Sequence, residues 1–296
     1  MRIIEIKEIA ARVRLRLGCL VFDGGEVNEV SIPASEIGIL ILSNPAITCS
    51  VAAISQVAEN GGVVLTCDSR WLPNGILLPI NGNHIQTQRL RLQTEAKAPL
   101  KKRLWQAIVQ RKIFNQCDVL KRLFNDDFGL SNIIQQVKSG DSTNVEARAA
   151  KKYWGAIFGH QDFRRSDSQA PQNPLLNYGY SVLRAIIARA ICASGLHPSL
   201  GIHHKNKYNA FCLADDLMEP FRPCVDLMIA RMLQECPCLS IEDTSIRGRI
   251  ISAVASKWKL GNESRSIFDA STRLATSLVD SFQSNKPLLD LPLLGG

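Results

Sequence analysis

Two adjacent histidines, His203 and His204, stand in the segment LGIHHKNKYN, and three acids, Asp215, Asp216 and Glu219, follow shortly after. An imidazole beside two or three carboxylates is a donor set for a hard divalent cation, with Mg²⁺ or Mn²⁺ the best match. If a helix begins near Ala214, Asp216 and Glu219 share one face at i, i+3; Asp215 and Glu219 are the i, i+4 alternative. A further acid, Glu146, lies in DSTNVEARAAKKYW. The same residues also have purely structural readings. Asp215 and Asp216 suit a helix start, where free N–H groups and the helix dipole favour acids. Thr143-x-x-Glu146 has the form of a capping box that opens an Ala-rich helix.

Helices must carry these groups. From Asn177 the chain places Val182, Leu183, Ile186, Ile187, Ala190 and Ile191 at i, i+3, i+4 spacing, with Arg184 and Arg189 marking a polar side. Gly195 and Pro198 stop that helix. A second long helix opens at Pro99, with Leu104, Ile108, Ile113 and Leu120 along its apolar face. Lys101, Lys102, Arg103, Arg111 and Lys112 crowd it, and they read either as a solvated face or as a phosphate-contacting surface. More basic residues surround the acids: Arg148, Lys151 and Lys152 after Glu146, then Arg164 and Arg165, then Lys205 and Lys207. A site that receives DNA must offset phosphate repulsion from its own carboxylates, so this clustering is informative. Tyr153, Trp154, Tyr178, Tyr180 and Tyr208 read mainly as packing residues.

The fold class expected is α+β, with an N-terminal β-rich domain over residues 1–74, a linker over 75–88 and an all-α domain over 89–296. In ARVRLRLGCLVF, Val13, Leu15, Leu17 and Cys19 alternate with polar residues or glycine and predict one strand with one buried face. EVNEVSIP, GILILS and GVVLTC supply further strands, and SVAAISQVAENGG one short helix. Asp23-Gly24-Gly25 and Asn44-Pro45 are turn signals. WLPNGILLPINGNHIQTQ has two prolines, two Asn-Gly pairs and no periodicity, which reads as the linker. Beyond Asp226 the chain is expected to continue helical through KWKLGN. The tail NKPLLDLPLLGG is expected to be extended, either free or docked on a neighbouring subunit.

The 296 residues are 46% hydrophobic and 21% charged, an ordinary globular composition, and the net charge of +8 favours a polyanionic partner. No apolar run of membrane-spanning length and no signal-peptide core are evident, so no membrane and a cytoplasmic location are expected. Nine cysteines lie scattered without a C-x-x-C pair. Such a pattern argues against a zinc knuckle and a disulfide framework.

Several long strings in this order, CDSRWLPNGILLPING, VKSGDSTNVEARAAKKYW and PLLNYGYSVLRAIIARAICASGLHPSLGIHHKNKYNAFCLADDLMEPFRPCVD, resemble the CRISPR-associated integrase. That family is the larger subunit of the complex that inserts new spacers into a CRISPR array, and the form accompanying type II systems is the nearest. The resemblance implies that Glu146, His204 and Glu219 are the metal-binding and catalytic residues, with His203 the runner-up to His204. Asp216 would be a neighbouring support or a substitute ligand. It also implies a metal-assisted transesterification, in which a 3′-hydroxyl of a DNA fragment attacks a phosphodiester at the edge of a repeat. The partners so implied are double-stranded DNA, a second copy of the chain forming a homodimer through the β-rich domain, and a small CRISPR adaptation subunit completing a heterohexamer. Alternatives from other classes are a metal-dependent nuclease on branched or single-stranded DNA, and a non-catalytic DNA-binding scaffold.

Overall fold

The computed structural model describes residues 1–7, 11–24, 27–159, 163, 165 and 170–295. Gly25 of the expected turn and Arg164 of the basic set lie outside them. The N-terminal part holds β1 (Arg2–Ile6), β2 (Arg12–Arg16), β3 (Cys19–Gly24), β4 (Val27–Pro33), β5 (Ile37–Leu42), β6 (Thr48–Cys49), α1 (Val51–Glu59), β7 (Val63–Cys67) and β8 (Pro73–Leu77). The rest is α2 (Gln86–Glu95), α3 (Ala98–Phe124), α4 (Val145–Ile157), α5 (Gln172–Ala193), α6 (Cys212–Met218), α7 (Arg222–Glu235), α8 (Thr244–Val254), β9 (Trp258–Leu260), β10 (Glu263–Arg265), α9 (Ile267–Ser284) and β11 (Leu293–Leu294). The α+β class, strands first and helices after, is the one expected.

One sheet has the order β1-β5-β7-β8, parallel except for the last pair, and the other has the order β4-β3-β2-β6. Parallel strands covered on both faces read as continuous apolar runs, as GILIL and GVVL do. Alternate residues then face opposite ways. Ile39, Ile41, Val63 and Leu65 join the large core around α3 and α5, while Leu40 and Val64 join a smaller core with Val13, Leu20, Ala53 and Val57. A buried ion pair ties the two parts together. Glu5 Oε1 of β1 accepts from Arg247 Nε of α8 at 2.7 Å, from Ser43 Oγ at 2.6 Å and from Tyr178 OH at 3.2 Å.

Four local expectations are corrected. ARVRLRLGCLVF is a hairpin, because Leu17 and Gly18 both take positive φ, 50° and 75°, the pair of values a two-residue primed turn demands. Leu17, expected to face inward, is the 97% exposed tip. The expected linker is shorter, since the chain stays paired to β7 through Leu77 and enters α2 at Gln86. Pro73 is tolerated there because β8 is an edge strand. Within the helical part a three-stranded sheet, β10-β9-β11, forms from KWKLGN, the Glu263–Arg265 segment that follows it and the tail. The tail docks on its own chain: Leu294 is buried, and Pro292 O accepts from Asn115 Nδ2 of α3 at 3.2 Å. Finally, Arg189 marks no polar side, being only 7% exposed and lying over the Phe268 ring. All nine cysteines are free.

Candidate active site

α3 is the floor of the site. Trp105, Ile108, Val109, Lys112 and Gln116 recur at i, i+3, i+4 spacing, so Lys112 lies on the apolar stripe and not among the solvated basic residues. Three residues further on, the buried Asn115 donates to Pro220 O at 2.7 Å and pins the backbone just after Glu219 to the same helix. Glu146 approaches from the first turn of α4. No capping box forms there: the N-cap is Asn144, and Asp141 accepts from Val145 N at 2.8 Å and from Glu146 N at 3.0 Å. With the helix end satisfied by Asp141, the Glu146 side chain is released toward α3.

Glu146 and Glu219 meet at Lys112. Its Nζ lies 2.6 Å from Glu146 Oε1 and 2.6 Å from Glu219 Oε2. Arg222 Nε stands 3.0 Å from the other Glu219 oxygen, and its guanidinium lies over the Tyr180 ring. Glu219 Oε2 is buried, and the cation it meets is the Lys112 ammonium. Burial pushes the Glu219 carboxyl up, but Arg222 and Lys112 outweigh it and hold the group below its ordinary range. Burial likewise works against the Lys112 charge, and Glu219 with Glu146 reverses that and raises its pKa.

His204 is presented by Asp216, which α6 carries fully buried. Asp216 Oδ2 accepts from the backbone N–H of Ile202 at 2.6 Å and of His203 at 2.9 Å, while Oδ1 accepts from His204 N at 3.2 Å. The His204 ring closes the set, with Nδ1 at 2.6 Å from Asp216 Oδ1. A side chain at Gly201 would collide with His204 O, so the tight loop requires glycine there. The bond to Asp216 raises the pKa of His204, against burial and with further help from Glu219. This arrangement orients the ring and leaves Nε2 as its available donor. His203 instead lies flat on Trp105, with ring centroids 4.2 Å apart. Asp215 is not part of the cluster: Arg184 Nε and Asn209 Nδ2 each hold it at 2.7 Å. Nor do Asp215 and Asp216 cap α6, since both lie inside it and its N-cap is Phe211.

The structure therefore gathers Glu146 and Glu219 around one cation and sets His204 beside Glu219, within range of its charge. Among the described residues no three His, Cys, Asp or Glu side chains close into a ready-made metal cage. The donor set nevertheless fits a hard divalent ion, because it offers two carboxylates, one of them with a buried oxygen facing the Lys112 ammonium, and an oriented imidazole. The sequence reading counted Lys112 among solvated or phosphate-contacting residues and did not single out Arg222 or Trp105. A lysine on an otherwise apolar helix face was the available signal for the first.

Beside His204 opens a cavity of about 480 Å³, lined by Lys101, Ser199, Asn206, Lys205 and Lys207 among others. Burial and the neighbouring Lys205 charge both depress Lys101, so like charges are crowded where an anion would relieve them. Tyr208 is 83% exposed beside it, with Lys207 Nζ over its ring, whereas Tyr153, Tyr178 and Tyr180 are buried as expected. No helix among the described residues is long and apolar enough to cross a membrane.

The family model described as "CRISPR associated protein Cas1" matches residues 4–237. A CRISPR-associated endonuclease Cas1 from Neisseria meningitidis serogroup C is 40% identical over 218 residues, covering 73% of this chain and 70% of that protein. Two solved structures share the fold. A casposase bound to integration product has a TM-score of 0.79 at 19% identity, over 98% of this chain and 93% of that one. A Cas6-RT-Cas1–Cas2 complex has a TM-score of 0.74 at 16% identity, over 97% of this chain and 35% of that one.

Proposed function

Because the chain belongs to the CRISPR-associated Cas1 family, we propose that it is a metal-dependent DNA integrase that joins 3′-hydroxyl ends of captured fragments to phosphodiesters at the borders of a CRISPR repeat. One observation carries this reading. Two acids from different helices, Glu146 and Glu219, converge on a single cation, with an imidazole fixed by Asp216 alongside. A relative named as an endonuclease and a casposase bound to integration product support DNA as the substrate.

Glu146, Glu219 and His204 Nε2 would hold Mg²⁺ or Mn²⁺. When bound, such an ion polarises a phosphate oxygen, favours loss of the attacking hydroxyl's proton and stabilises the departing oxygen. The chain's own residues do the rest. Asp216 keeps Nδ1 occupied and so aims Nε2 outward. Arg222 and Lys112 keep Glu219 ionised. Lys101, Lys205 and Lys207 supply positive charge beside His204 along which a phosphate backbone can run.

The assembly we propose is a homodimer through the β-rich part, joined by a small CRISPR adaptation subunit into a heterohexamer; a complex containing Cas1 and Cas2 has a chain of the same fold. The test mixes the protein and its small partner with fragments bearing 3′-hydroxyls and a repeat-containing DNA. Joining yields strands longer than either input, and Glu219→Gln should reduce it by at least about a hundredfold. Products that are only shorter than the input, or full joining by Glu219→Gln, would overturn the assignment.

A further inference from the structure

Lys112 stands where a divalent ion must stand to touch both acids. Its Nζ is 2.6 Å from an oxygen of each, and its side chain is only 13% exposed. Mg²⁺ on the same oxygens would need contacts of about 2.0–2.1 Å, which leaves no room for an ammonium between them. Two bare carboxylates at this depth would repel each other and pull solvent in, so a cation between them stabilises the folded protein. Lys112 can fill that place and also vacate it, because a lysine head rides on a flexible four-carbon stem and can swing away while α3 stays fixed. Arg222 cannot do the same, since its guanidinium is seated on Tyr180 and serves the other Glu219 oxygen.

Resting on the metal reading above, we infer that Lys112 is a resident counter-cation: it keeps Glu146 and Glu219 assembled when no metal is bound and yields its place when the divalent ion enters. Lys112 is then a positioning residue that opposes metal binding while protecting the site. The intact protein binds metal more weakly than its ligands alone would allow. In exchange, the two acids stay poised at one point. A merely structural lysine has neither consequence.

The test measures Mn²⁺ binding to the full chain at constant pH by calorimetry, for the wild type, Lys112→Met and Glu219→Gln. In parallel, wild-type lysines are acylated with and without saturating Mn²⁺ and located by mass spectrometry. Lys112→Met should bind Mn²⁺ about tenfold or more tightly than the wild type, the scale of a close charge coupling. Its metal-free form should melt lower than the wild type and recover with Mn²⁺. In the wild type, Lys112 should be protected from acylation without metal and labelled with it, a result that needs no variant to fold. Lys112 staying protected while Mn²⁺ binds, or a folded Lys112→Met that binds no more tightly, overturns the inference. Glu219→Gln separates the two levels. If it loses Mn²⁺ while either Lys112 result fails, only the Lys112 role falls; if it binds as well as the wild type, the metal assignment falls and the Lys112 role with it.

Discussion

Glu146→Gln and Glu219→Gln should abolish strand joining alike but destabilise the fold unequally. Each substitution removes one charge at nearly constant side-chain size. The Glu219 side chain is 5% exposed and meets two cations, Arg222 at 3.0 Å and Lys112 at 2.6 Å. Its loss leaves Arg222, whose side chain is 26% exposed but whose Nε is buried, over Tyr180 without its ionic partner. Removing one member of a buried pair costs about 3–5 kcal/mol. The Glu146 side chain is 25% exposed and meets Lys112 alone, which in the variant still has Glu219. No buried charge is orphaned, so the loss lies between the surface and buried limits, about 1–2 kcal/mol. Urea unfolding of the metal-free proteins reads the difference, provided the slopes with denaturant agree. Strand joining on the same samples should fall by at least about a hundredfold for both. Equal destabilisation by the two variants would refute the electrostatic picture, and surviving activity in either would remove it from the site.

Other expectations address the groups around the site. Asp226 is 1% exposed and accepts from Tyr153 OH at 3.0 Å and from Tyr180 OH. Burial lifts its pKa from 3.8 to about 6. With the folded value above the unfolded one, the stabilisation is complete below about pH 4 and is lost as pH rises through about 6, amounting to about 3 kcal/mol. Asp226→Asn removes that titration, so the wild-type-minus-variant unfolding energy should fall over this window; a flat difference refutes it. Arg247→Met should cost about 3–5 kcal/mol by stranding the buried Glu5 carboxylate. Adding Glu5→Gln should recover part of that loss, and a single-variant loss under about 1 kcal/mol would show that the pair does not join the two parts. Lys101→Ala with Lys205→Ala should weaken DNA binding and flatten its dependence on salt by roughly one to two in log–log slope. Unchanged slopes would place the DNA elsewhere. Leu17→Asn, with φ of 50° at that position, should stabilise the hairpin by about 1 kcal/mol in thermal or urea unfolding. A loss instead would mean that Leu17 is covered in the functional assembly.

What the residues determined alone was whatever repeats locally. The 3.6-residue apolar spacing of α5 and α3, the serine before α1 and the unbroken GILIL run of β5 each report a backbone state that a few neighbours suffice to set. The long motif strings likewise carried the family, and with it the elements that hold Glu146, His204 and Glu219. Local pattern failed where a turn or a pairing interrupts it. Alternation in ARVRLRLGCLVF runs straight through the Leu17-Gly18 reversal, and β8 and β11 exist only because β7 and β9 offer them hydrogen bonds. The chemistry at the centre was decided by the tertiary structure. Whether Glu146 caps a helix or faces a cation depended on Asp141 taking over the cap. Whether Asp216 is a ligand or a brace depended on how tightly the Gly201–His204 loop wraps it. That Lys112 would separate the two acids follows from α3, α4 and the end of α6 meeting in space, and electrostatic interaction depends on that distance and burial, neither of which is written in sequence spacing.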